Sequence, residues 1–198
     1  QLNKQEMRNA LYRGRCTRML DKLCCSPEFL IATGRSINKE RMKDQYVVLR
    51  AIAFLMLHRG EFKDIPALQY RGDIDDFLAR FMVYVNDNAP EKLIVDYENL
   101  FIRCMQISYD LLGENGFRFS GNGIRRPINM PLFEALSYLF SFVPEKIDYT
   151  WASRLILDIE SVKEEFDDSR YFSGNIDSTT SVSFRFDRMD KIINRIQL

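Results

Sequence analysis

Residues 47–57 read VVLRAIAFLML, ten apolar residues around a single charge, Arg50. Val47, Val48 and Ile52 would also suit a strand, but eleven residues are long for one and ordinary for a buried helix. Apolar almost all round, the stretch predicts the central helix of the fold. Asn38 supplies a cap before it and Gly60 a stop after it, which predicts a helix of roughly 30 Å at about 1.5 Å per residue.

Outward from this stretch, most apolar patterns have the helical period. Ile74, Phe77, Leu78, Phe81, Met82 and Val85 form one stripe. Leu93, Tyr97, Leu100, Phe101, Cys104 and Leu111 form another after Pro90, and Leu132 to Phe140 a third after Pro131. Asn3 with Glu6 resembles a capping box, Gly14 breaks the first helix, and Ser26-Pro27 starts a short third one. Thr150 is the expected cap of a helix carrying Trp151, Leu155, Ile159 and Val162. A Ser/Thr/Gly-rich loop over 169–181 precedes a last helix with Val182, Phe186, Met189 and Ile193. The expected fold is all-α: a single domain over 1–198, with eight or nine helices around a long central one.

The composition narrows the classes of function. The chain has 198 residues, 46% of them hydrophobic, enough for one real core. No apolar run reaches the ~18 residues of a membrane span, and the charged N-terminal twenty residues do not read as a signal peptide. Cys16, Cys24, Cys25 and Cys104 have neither zinc-ligand nor disulfide-framework spacing, so idle thiols in a cytoplasmic protein are expected. The chain opens on Gln1, as a fragment would.

No catalytic constellation emerges. His58 is the one histidine. At the end of the central helix it is expected to cap or to lie on the surface rather than to serve a triad or a metal. Glu164, Glu165, Asp167 and Asp168 do not follow a cation-loop pattern and read as a solvated helix end. Asp73, Asp75 and Asp76 sit where carboxylates offset a helix dipole. Gly121-Asn122-Gly123 is too short for a phosphate loop, although Arg125 and Arg126 after it could touch an anion. No metal site, no cofactor and no enzymatic activity are expected of this chain alone.

Charge is unevenly spread beneath a net charge of zero. Residues 1–60 carry 12 Lys/Arg against 5 Asp/Glu, net +7, and residues 61–117 carry 5 against 11, net −6. Arg15, Arg18 and Lys22 fall at i, i+3 and i+7, with Arg8 on the preceding helix. Such a stripe can track phosphates, or be a solvated face.

Leu2 to Gly14 (LNKQEMRNALYRG) resembles the L-N-x-Q-E-x-R-N-x-x-Y-x-G segment of the GmrSD-like proteins, domain of unknown function 262. Arg41-Met42-Lys43-Asp44, Val48-Leu49-Arg50, Phe77-Leu78 with Phe81-Met82, Gly116-Phe117-Arg118, Asn129 to Ala135, and Val182 with Arg185-Phe186 resemble its later motifs in order. The resemblance implies a C-terminal helical portion, with residues 1–34 ending the family's N-terminal domain. The D-G-Q-Q-R motif of that ParB- and sulfiredoxin-like domain and the HNH nuclease domain are not in this sequence. The implied role is a module of a restriction or phage-defence protein, the parent being an NTPase or nuclease. The implied partners are DNA and the α/β domain of the same parent chain, and any nucleotide belongs to that domain. Arg8, Arg15, Arg18 and Lys22 are the candidate nucleic-acid residues, and Glu6, Arg8 and Asn9 the candidates beside the nucleotide domain. The alternative is a scaffold or oligomerisation domain without nucleic-acid contact.

Overall fold

A computed structural model describes residues 2–121, 123–167 and 169–196. It is all-α, with no strand among the described residues. The helices are α1 (Lys4–Leu11), α2 (Arg15–Cys24), α3 (Pro27–Ala32), α4 (Lys43–His58), α5 (Ile74–Asp87), α6 (Glu91–Leu112), α7 (Met130–Phe140), α8 (Tyr149–Asp167), α9 (Arg170–Ser173) and α10 (Thr179–Ile196). Eight of these have seven residues or more.

Local chemistry sets most boundaries where the sequence places them. Asn3 and Glu6 form the capping box: the Asn3 side chain accepts from the Glu6 N–H at 2.8 Å, and the Glu6 carboxylate accepts from the Asn3 N–H at 2.6 Å. Ser26 caps α3, and Asp73 caps α5 by accepting from the N–H groups of Asp75 and Asp76.

Two starts differ from expectation. The central helix begins at Lys43, because a separate 3₁₀ turn, Glu40–Met42, comes before it; the Asn38 side chain accepts from Glu40 N–H at 2.8 Å at the entry to that turn rather than at the start of α4. Arg41 and Met42 then take left-handed φ of 57° and 58°, which no continuous α-helix permits. With 16 residues, α4 is about 24 Å long. The cap of α8 is Asp148 rather than Thr150, its carboxylate accepting from Trp151 N–H at 2.7 Å. The loop over 169–181 also contains the single turn of α9.

α4 is buried from Val47 to Met56, as its sequence predicts. It is not alone at the centre, since α7 is buried from Pro131 to Phe140 and forms the main neighbour of α4. α2 and α5 also pack on α4, while α10 packs on α7. Cys16, Cys24 and Cys104 lie in this core, and burial pushes the Cys16 and Cys104 thiols up to about 12, so neither is a reactive thiolate. Among the described residues, no helix is long and apolar enough to cross a membrane.

Leu49 and Phe54 are fully buried on α4. Leu49→Ala or Phe54→Ala should lower stability by about 2–5 kcal/mol, read as a fall in urea midpoint. A negligible shift for both would place α4 outside the cooperative core.

Candidate functional site

The side chains singled out in the N-terminal motif converge on the inner side of α1. Arg8 is only 5% exposed and donates from Nη1 to Asp75 Oδ1 at 2.7 Å, with Nε donating to Gln5 Oε1 at 3.1 Å. Lys4 binds the same Asp75 carboxylate. Burial alone would raise the Asp75 pKa, but the hydrogen bonds and charges of Lys4 and Arg8 outweigh it and hold the group below its usual value. The Arg8 guanidinium lies 5.2 Å from the centre of the Tyr46 ring. Asn9 accepts from Gln5 at 2.8 Å and donates to Gln45, which donates to Asp21 at 2.7 Å. Glu6, besides capping, meets Arg41 at 3.4 Å. Lys4, Gln5, Arg8, Arg41, Tyr46 and Asp75 border an open cleft of about 540 Å³ between α1, the 3₁₀ turn, α4 and α5, whereas Glu6 and Asn9 do not line it.

Arg8, expected as a phosphate contact, is buried and its charge is met by Asp75. Two members of the α2 stripe are already engaged in ion pairs. Arg15 pairs with Glu91 at 2.8 Å and Lys22 with Glu98. Both pairs are offset by the same 76 residues, so two turns of α2 run parallel to α6 in one ionic seam. Arg18 is exposed and makes no ion pair among the described residues.

Behind Tyr46 lies a cluster that sequence reading missed. Arg50 on α4 donates from Nε to Glu134 Oε1 on α7 at 2.5 Å and from Nη2 to Asp177 Oδ1 at 2.6 Å. Arg185 on α10 donates to the other Glu134 oxygen at 3.1 Å and to the Ile176 carbonyl at 2.6 Å. The Tyr46 hydroxyl accepts from Arg50 at 3.1 Å, and Tyr70 donates to the Asp177 carbonyl. Arg50, Glu134 and Arg185 are fully buried. A signal existed: Arg50 and Glu134 are lone charges inside apolar helices, and a buried charge requires a partner.

The remaining sequence candidates have structural surroundings. His58 is half-buried and its ring packs inward rather than capping α4. Its ring stacks on Phe186 of α10 with centroids 3.6 Å apart and planes 8° apart, near Phe54 and Tyr138. Its Nε2 is buried without a hydrogen-bond partner, and burial, aided by the Arg185 charge, pushes its pKa down to about 3. Glu165 pairs with Arg188, and Asp167 pairs with Arg126. Asp168 and Asn122 lie outside the described residues. Among the described residues no three His, Cys, Asp or Glu side chains are grouped to hold a metal ion.

Comparisons with family models, with curated proteins and with solved structures give no match.

The buried imidazole has a consequence for stability. The unfolded chain protonates His58 below about pH 6.5, whereas the folded chain resists protonation down to about pH 3. Stability should therefore fall as pH drops from 6.5, by up to about 1.4 kcal/mol per unit. His58 is the sole histidine, so urea midpoints between pH 7 and pH 5 isolate it. His58→Phe should flatten that dependence, and an unchanged pH profile in this variant would refute the assignment.

Proposed function

We propose that the chain is the helical support module of a GmrSD-like restriction or phage-defence protein, without a complete active site of its own. In this reading α1 is the surface on which the parent protein's nucleotide-handling α/β domain docks. The observation that supports it is the inversion of α1. An ordinary surface helix turns apolar residues inward and polar residues out. Here the buried residues are Gln5 and Arg8, 3% and 5% exposed, while Met7 is 43% and Leu11 74% exposed. Leu2, just before the helix, is exposed too. Met7 and Leu11 are one turn apart, so they share a face.

Glu6, Arg8 and Asn9 take a mechanical part in this role. Their hydrogen bonds anchor α1 to α4, α5 and the 3₁₀ turn, so a domain held on the outer face is held at a fixed angle. The α2–α6 ionic seam favours this support role over phosphate contact through α2, because Arg15 and Lys22 already neutralise Glu91 and Glu98. Arg18 is the member of the stripe left for a DNA phosphate, and a single contact gives only a weak salt dependence.

Met7→Lys with Leu11→Lys tests the docking. Both side chains are exposed, so the melting temperature of the helical chain should change little. In the parent protein, limited proteolysis should then cut between the two domains more readily, with a loss of nucleotide turnover. Wild-type cleavage and turnover in the double variant would overturn the proposal.

A further inference from the structure

We infer that the cleft between the α3–α4 connection and the segment leading into α7 binds a phosphate-bearing ligand with an apolar or aromatic body. This site is separate from the outer face of α1. The cleft measures about 350 Å³, near the lower end for small-molecule sites. Its lining includes four cations, Lys43, Arg118, Arg125 and Arg126, and no carboxylate, over an apolar floor that includes Val47 and Ile128.

Arg118 carries the argument. It is 4% exposed. Its guanidinium donates to the carbonyls of Thr33 at 3.1 Å, Glu114 at 3.2 Å and Arg126, and to the Ser36 hydroxyl. All of these acceptors are neutral, and no carboxylate pairs with Arg118 among the described residues. Buried charges in proteins are otherwise paired, because an uncompensated one costs several kcal/mol. Burial and the neighbouring Arg125 charge both disfavour the charged form of Arg118 and outweigh the favourable charge of Glu114.

Arg125 and Arg126 sit beside this charge. Their carboxylate partners, Glu114 at 2.9 Å and Asp167, are not part of the cleft wall. Arg125 is placed by Gly34, which has a φ of 58°; a Cβ there would come within 2.0 Å of Arg125 Nη2. Lys43, the first residue of α4, adds the fourth cation to the wall. A phosphate dianion offers the several acceptor oxygens that clustered guanidinium and ammonium groups require. The apolar floor then favours a ring or chain over water, which distinguishes the expected ligand from a bare anion.

The probe is 1-naphthyl phosphate, titrated into the full chain by calorimetry at low salt, with inorganic phosphate and 1-naphthol as separate arms. Naphthyl phosphate should bind at least about tenfold more tightly than either half, a difference of ~1.4 kcal/mol. Lys43→Gln with Arg125→Gln, both at exposed positions, should weaken it about tenfold or more without moving the melting temperature of the free chain. Amide shift mapping on the wild-type chain should place the probe at Ser36, Val47 and Ile128, independently of how the variant folds. No binding at millimolar probe, equal binding of inorganic phosphate, undiminished binding by a folded double variant, or shifts confined to another surface would each overturn the inference.

Discussion

Arg50, Glu134 and Arg185 meet at full burial, one carboxylate shared between two guanidiniums, and they come from α4, α7 and α10. An ion in an apolar interior is tolerable only with its partners in place, and removing one partner leaves a charge that costs about 3–5 kcal/mol. The three helices therefore cannot pack independently of one another. Asp177, just before α10, closes the second side of Arg50, and Tyr46 links the cluster to Arg8 and thus to α1. The angle at which α1 presents Met7 and Leu11 depends on this internal chain of contacts.

The same logic accounts for the charge asymmetry of the sequence. A basic first third and an acidic middle suggest one surface for an anion and another that repels it. In the folded chain they face each other: Lys4 and Arg8 on Asp75, Arg15 on Glu91, and Lys22 on Glu98. Much of the +7 and −6 is spent on holding α1 and α2 against α5 and α6. A cleft wall with cations and no carboxylate lies elsewhere, at Lys43 and Arg118.

The fold class was legible because periodicity and caps are local. The apolar run 47–57, the stripe from Ile74 to Val85, and the caps at Asn3, Ser26 and Asp73 each depend on residues a few positions apart. What escaped is set by distant partners. His58 looks like a helix end until Phe186 of α10 stacks on it. Arg50 looks like an interruption until Glu134 meets it. The break at Arg41 and Met42 has no local signal, since neither residue type favours a left-handed φ. Several residues that carry the family resemblance have fold-making contacts: Arg50, Glu134 and Arg185 in the cluster, Asn129 as the cap of α7, and Glu6 as half of the capping box.

The central claim is that the buried cluster makes α4, α7 and α10 one cooperative unit. Native-state hydrogen exchange measures this directly, because amides that open only with the whole molecule report the global unfolding free energy, and those that open locally report less. Amides flanking Arg50, Glu134 and Arg185 should share a single exchange free energy, and all three sets should fall together in Glu134→Gln. Exchange of the α10 amides through a low-energy local opening, with α4 and α7 still protected, would contradict the account.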